Sequence, residues 1–380
     1  MDITQILPLL GGISPQQFMK RYWQKKPLLV RQALPQFKAL LNRSELLALA
    51  GDDDVASRLV VQHPGQNPAW QLKHGPFQRK ALPPFKQPGW TILVQGVDLH
   101  DESVHQLMNQ FRFVPDARLD DVMISYATDG GGVGPHIDSY DVFLLQAQGR
   151  RLWRIGRQKK PVLQDGVPLR ILTNFVPEEE FVVEAGDLLY LPPGYAHDGI
   201  AQGECMTYSI GFRIPKKAEL ARELLQRVAE QADDELGEVL YRDAGQPAVE
   251  QAAEIPAAMQ VFAEKAVQDA LKDPLALARG LGEYMTEPKP NVWFESLQDE
   301  AMSLAGCAVC LDRRSKMMFD QHHIFINGES FLAAGRDADL MRRLANQRNL
   351  AVQEVQKLSK QAQKLLAAWV VAGWLQRTKC

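Results

Sequence analysis

The sequence predicts an α+β protein of several domains, in which an antiparallel β sandwich or barrel is followed by a helical stretch and a small module of strands and helices. Three observations predict it. Up to about Pro215 the chain runs in short apolar segments bounded by glycine and proline, the pattern of many short strands. At "IPKKAEL" the pattern turns helical and stays so to about Met285. Beyond the linker "TEPKPNVWF" come two short strands and further helical periodicity, the vocabulary of a winged helix. A chain of 380 residues exceeds one ordinary core. The expected domains are 1–215, 216–287 and 288–380.

In order along the chain, "PQQFMKRYWQKKP" reads as a helix leading into the strand "LLVRQ". Strands follow at "AWQLK", "WTILVQGV", "DVMISYA", "DVFLLQAQG", "RLWRIG", "EFVVEAGDLLYLPPG" and "CMTYSIGFR". The middle segment carries "AELARELLQRVAEQ", "IPAAMQVFAEKAVQDALK" and "PLALARGLGEYM" as helices. Their amphipathic faces need something to pack on, and a second copy of the chain is the natural candidate, so a homodimer is expected. The last segment has the strands "CAVCLD" and "HIFING", then helical runs at "ADLMRRLANQ" and "VQEVQKLSKQAQKLLAAWVVAGWLQ".

Composition excludes several classes. With 46% hydrophobic and 23% charged residues the chain is globular, and a net charge of −3 gives no bulk attraction to nucleic acid or acidic membranes. Between Pro290 and Cys380, 12 Lys/Arg stand against 9 Asp/Glu, a balance too mild to argue for nucleic-acid binding by the winged-helix-like end. "MDITQILPLLGG" lacks the basic region of a signal peptide, and "LLAAWVVAGWL" is far too short to span a bilayer. Cys307 and Cys310 in "CAVC" lack the second pair of a zinc ribbon, so buried reduced cysteines and a cytoplasmic location are expected.

The chemistry starts at "GPHIDSYDVFLLQ". In a strand, alternate residues share a face, so His136, Asp138 and Tyr140 are expected side by side. An isolated His-x-Asp arises readily by chance and also suits a polar strand start. Here "DGGGVG" precedes it, which lets backbone approach a ligand closely. A second histidine comes from "AGDLLYLPPGYAHDG", where an apolar strand and a Pro-Pro-Gly turn deliver His197. Two histidines and one carboxylate make a facial triad, which suits non-haem Fe(II) and leaves the opposite face open. His63, His74, His100, His105, His322 and His323 have no partner at ligand spacing and read as ordinary histidines.

"GPHIDSYDVFLLQAQGRRLWRI", "EAGDLLYLPPGYAHDG" and "MTYSIGFR" together resemble the JmjC-type 2-oxoglutarate oxygenases. Among these the chain is most similar to the bacterial ribosomal oxygenases that hydroxylate an arginine of the sixteenth large-subunit ribosomal protein, a likeness that takes in "RYWQKKPLLVR" and nearly the full length. The resemblance implies a double-stranded β-helix of the cupin/JmjC type, with Fe(II) on His136, Asp138 and His197 and with 2-oxoglutarate and O2 as co-substrates.

A dicarboxylate needs a cation at its far end. Arg151 is the candidate, because it shares a face with Trp153 while Arg150 looks the other way, and in the family a basic residue two before this tryptophan has that role. Ser125 could donate to the same carboxylate and Ser209 could line the pocket, although serines in strands are most often structural. An arginyl substrate needs an inward carboxylate; alternation puts Asp121 on the face of Ser125, with Asp120 turned away, unless Asp121 is only a strand-start residue. Tyr140 would wall the substrate channel. The expected activity is protein hydroxylation of an arginyl residue. The alternatives are histidyl hydroxylation, or a cupin-like module that binds RNA or protein without catalysis.

Overall fold

The computed structural model describes residues 2–63, 65, 69–297 and 303–378. It has two compact units, one running to Ile214 and one from Pro215 onward.

The first unit opens with helix α1 (Pro15–Arg21). Ser14 Oγ accepts the Gln17 N–H at 3.2 Å and Gln17 Oε1 accepts the Ser14 N–H at 3.3 Å, a reciprocal cap. Pro15 at the first helical position loses no hydrogen bond there. Phe18 is fully buried, with its ring 4.9 Å from Tyr190 and 5.4 Å from Phe143, so one aromatic cluster fixes the helix to the sheet. Then come β1 (Leu28–Val30), α2 (Arg43–Leu49), β2 (Ser57–Gln62), β3 (Trp70–His74), β4 (Trp90–Val94), α3 (Glu102–Asn109) and β5 (Leu119–Ala127). The unit closes with β6 (His136–Ile137), β7 (Val142–Arg157), β8 (Glu179–Glu184), β9 (Leu188–Leu191) and β10 (Tyr195–Phe212).

These strands pair antiparallel in the order β1-β9-β7-β10-β5-β4-β2-β3, with β8 on β7 and β6 on β10. Two long strands turn this into a double layer. β7 pairs with β9 through 142–145 and with β8 through 150–155. β10 pairs with β6 through 196–197 and with β5 through 205–212. Each therefore passes from one layer into the other, as in a double-stranded β-helix. The corner of β7 is Gly149, at φ +68°, where a Cβ would stand 2.2 Å from the Glu204 carbonyl oxygen. Only glycine fits. On β10 the register shifts between Gln202 and Met206 to follow the same bend.

Two strand boundaries differ from the sequence expectation. "DVFLLQAQG" and "RLWRIG" are one 16-residue strand, because β7 pairs with β10 on both sides of the bend at Gly149, where the register shifts. His136 belongs to the separate strand β6, and Asp138 and Tyr140 lie in the bend between β6 and β7 rather than on a continuous strand.

The second unit begins with α4 (Lys217–Leu236), α5 (Ala257–Ala270) and α6 (Ala276–Thr286). Then follow β11 (Ala308–Leu311), β12 (Met317–Phe319), β13 (His323–Ile326), β14 (Glu329–Leu332), α7 (Gly335–Gln347), β15 (Asn349–Leu350), α8 (Val352–Lys357), α9 (Lys360–Val371) and β16 (Leu375–Thr378). Two small sheets, β15-β11-β16 and β12-β13-β14, enclose with the helices a core that includes Val309, Ile326, Leu344, Leu366 and Trp369. Helix α6 is tied to the second sheet, since Ser330 Oγ donates to Glu283 at 2.6 Å and the Gly328 N–H donates to Thr286 Oγ1 at 3.1 Å. The long helical run expected at the end is broken at Ser359, whose Oγ caps α9 by accepting the Ala362 N–H. Cys307 is disulfide-bonded, which corrects the expectation of a reduced thiol there. Among the described residues, no helix is long and apolar enough to cross a membrane.

Candidate metal and co-substrate site

The residues singled out in the sequence converge. His136, Asp138, His197, Arg151, Ser125, Ser209, Asp121 and Tyr140 all line one cavity of about 460 Å³ in the first unit. The strand topology explains why. β6 pairs with β10 so that His136 stands directly opposite His197, and their rings lie 4.2 Å apart between centroids. Asp138, one residue past β6, reaches both, with carboxylate oxygens 3.8 Å from His136 Nε2 and 3.6 Å from His197 Nε2.

The ring orientations are fixed from behind. The His136 Nδ1–H donates to the Gly134 carbonyl oxygen at 2.8 Å, and the His197 Nδ1–H donates to the Tyr195 carbonyl oxygen at 3.1 Å. A carbonyl can only accept, so each ring donates through Nδ1 and turns its Nε2 towards Asp138. This is how a protein orients imidazole for metal binding. Burial, and then the neighbouring His136, push the pKa of His197 down to about 4, against a smaller opposing pull from Asp138. It is a neutral imidazole at physiological pH. The three ligand atoms lie within 4.8 Å of one another, and this is the one such cluster among the described residues. Two imidazoles and a carboxylate on one side of a cavity fit a divalent non-haem iron.

The glycines before His136 let the main chain in close. A Cβ on Gly132 would stand 2.4 Å from the Gly199 carbonyl oxygen.

The opposite end of the cavity is cationic. Arg151 is only 4% exposed, and no carboxylate lies within ion-pair distance of it among the described residues. It donates to the Gly199 carbonyl oxygen at 3.0 Å and contacts Cys205 Sγ at 3.4 Å, while its Nε is buried without a partner among the described residues. A buried guanidinium without a counter-charge is costly, and a carboxylate ligand would supply what it lacks. Arg150 instead pairs with Glu184 at the surface, 3.3 Å away. Trp153 lies between the two ends, its indole 5.9 Å from the His197 ring. Ser125 Oγ donates to the Thr207 carbonyl oxygen at 3.4 Å, and Ser209 is buried in the cavity wall.

At the rim, Asp121 Oδ2 accepts the Gly96 N–H at 3.1 Å. Tyr140 is exposed along one edge, but burial of its hydroxyl end, followed by the charges of Asp138 and Asp121, raises its pKa well above that of an ordinary phenol. Asp120, expected to face away, also reaches the cavity, because it lies at the beginning of β5 where both neighbours are at the open edge. Sequence reasoning passed over further lining residues, Arg58 and Thr91 among them. The signal was alternation: Arg58, Val60 on β2 and Thr91, Leu93 on β4 face the same way as the cavity residues of β5.

Residues 106–220 match the JmjC domain family, and residues 269–376 match the ROXA-like winged helix. The chain is 36% identical over 276 residues to the ribosomal protein uL16 3-hydroxylase of Escherichia coli, a match covering 72% of this chain and 71% of that protein. Its structure is similar to the X-ray structure of E. coli ycfD, with TM-score 0.81 and 29% identity over 96% of this chain and 98% of that one. It is also similar to YcfD, a ribosomal oxygenase from E. coli, in complex with cobalt and 2-oxoglutarate, with TM-score 0.75, 29% identity and the same coverage.

Proposed function

Since the chain belongs to the family of JmjC-domain ribosomal oxygenases, we propose that it is an Fe(II)- and 2-oxoglutarate-dependent hydroxylase acting on an arginyl side chain of the sixteenth large-subunit ribosomal protein, uL16. The observation that carries this reading is the pairing, within one cavity, of three groups able to hold a metal with a buried arginine that has no carboxylate within ion-pair distance among the described residues. Ferrous iron on His136, Asp138 and His197 supplies oxygen-activating chemistry that couples conversion of 2-oxoglutarate and O2 to succinate and CO2 with hydroxylation of a C–H bond.

The chain's own residues do the rest. Arg151 takes the far carboxylate of 2-oxoglutarate, which points the 2-oxo acid end at the metal face. Trp153 and the apolar strand residues around it exclude water between the ends. Asp121 meets the guanidinium of the substrate, whose transfer out of water would otherwise be unfavourable. Tyr140 flanks that side chain at the rim. Ser125 and Ser209 complete the polar wall. The fold carries the positions through two strands: β7 holds Arg151, and β10 holds His197 and Ser209.

We also read the helical stretch from Lys216 to Met285 as the contact between two copies of the chain. Helix α4 buries only Val228, and Leu225 is 56% exposed while Val261 and Val267 on α5 are each 63% exposed. Light scattering at micromolar concentration should report a dimer. A uL16-modifying enzyme would work in the cytoplasm. The activity is tested by intact mass of uL16 after incubation with the protein, Fe(II), 2-oxoglutarate and O2. A gain of one oxygen atom on an arginyl residue is expected. The same gain on a histidyl residue would replace this reading with the histidyl one, and no gain alongside no succinate release would favour a binding module.

A further inference from the structure

Thr91 is almost wholly buried, at 1% exposure, and its hydroxyl has no hydrogen-bond partner among the described residues. It lines the same cavity as Arg151. Sheet register shows how near the two groups come. Thr91 on β4 pairs with Ala127 on β5, Ala127 pairs with Cys205 on β10, and Cys205 Sγ is in contact with the Arg151 guanidinium. From the other side, Gly131, whose Cβ would stand 3.0 Å from Thr91 Oγ1, accepts the N–H of Ala201, and Ala201 pairs with Arg151 itself. Beside the two polar groups lies a small buried cluster of Ala127, Ala201 and Cys205, none of which offers either of them a strong partner.

Two buried polar groups left incomplete beside a patch of small side chains is a costly arrangement. An unsatisfied buried hydroxyl is unfavourable, and an uncompensated buried guanidinium more so. One carboxylate satisfies both, accepting from the hydroxyl on one oxygen and from the guanidinium on the other. We propose that Thr91 is a second anchor for the far carboxylate of the 2-oxo dicarboxylate co-substrate, acting beside Arg151. This rests on the reading of the cavity as a 2-oxoglutarate site. It gives Thr91 a selective role as well: a 2-oxo acid without a far carboxylate reaches the metal face but leaves both groups unpaired.

Binding, measured apart from turnover, tests it. The full-length protein is loaded with Mn(II) under anaerobic conditions, and 2-oxoglutarate and pyruvate are titrated calorimetrically into the parent, Thr91→Val, Thr91→Ser and Thr91→Ala. Loss of one hydrogen bond to a charged acceptor should weaken 2-oxoglutarate binding about tenfold in Thr91→Val and Thr91→Ala, while Thr91→Ser keeps the parental affinity. Pyruvate should bind weakly and equally to all four. The Ser and Ala variants differ only in the hydroxyl, so they decide the matter even where Val disturbs packing. Equal 2-oxoglutarate affinity in Ser and Ala overturns the role of Thr91 and leaves the proposed function standing. A parent protein that binds no 2-oxoglutarate overturns both.

Discussion

The inner end of the cavity and its rim are built on different terms. Deep in the cavity, Arg151 Nε and Thr91 Oγ1 are buried without partners among the described residues, and the imidazoles of His136 and His197 are held from behind with their Nε2 atoms directed at Asp138. At the rim, Asp121 already accepts a main-chain N–H and Tyr140 is half in solvent. The difference teaches where a ligand must go. The inner groups are incomplete without one, whereas Asp121 and Tyr140 can exchange a large partner without being left stranded themselves.

The largest effect should come from the metal face. His136→Ala or Asp138→Ala should lower succinate release by at least about a hundredfold, since even the groups that merely orient metal ligands are worth 10–100-fold. Both residues sit at strand ends, so the melting temperature of the metal-free protein should hardly move; substantial turnover in either variant would remove the triad from the mechanism. Next is the cationic end. Arg151→Ala should raise the 2-oxoglutarate requirement about 100-fold, as expected for a desolvated charge-assisted pair. Arg150→Ala, which breaks only the surface pair with Glu184, should leave it within about twofold. The reverse ranking would mean that the inward face of β7 has been misassigned.

The rim should behave more selectively. Asp121→Ala should reduce peptide hydroxylation about tenfold or more, for loss of a buried partner to a charged group, while succinate release without peptide persists. Equal loss of both would make Asp121 a structural residue of the β5 edge. The smallest effect lies outside the cavity and calibrates the others. Asp187 is buried, which alone would raise its pKa, but the Gln32 N–H and the Arg31 guanidinium outweigh burial and hold it below the usual carboxylate value. A folded-state pKa below the unfolded one adds stability above the unfolded value that is lost as pH falls through the folded one. Asp187→Asn should thus destabilise the protein against urea at pH 7, and the gap from the parent should narrow at pH 3.

Sequence made the metal face legible because its signals are local. A two-residue spacing placed His136 and Asp138 together, a Pro-Pro-Gly turn announced His197, and strict alternation through "GRRLW" separated Arg151 from Arg150. Even there the reason was partly different, since Asp138 reaches the site from a bend and not from a strand. For Thr91, alternation could have given the inward face but not the role. Nothing near it in "GWTILV" marks it, and its meaning comes from register across four strands. In the second unit, the helical periodicity after Val352 concealed a break that only the Ser359 cap reveals, and β12 and β14 were too short to stand out.

The passage of β7 and β10 between layers also has a kinetic consequence. Ligand His136 waits on the pairing of β6 with β10, and β10 is the final strand of its unit, bringing His197 and the wall opposite Arg151 at the same time. These are contacts between residues far apart in sequence, the kind whose loop-closure entropy makes them slow to form. In a nascent chain that has not yet emerged past Phe212, His136, Asp138 and His197 therefore cannot meet, however much of the barrel has collapsed. Whatever metal these three groups hold is taken up only once the last long strand of the unit has paired.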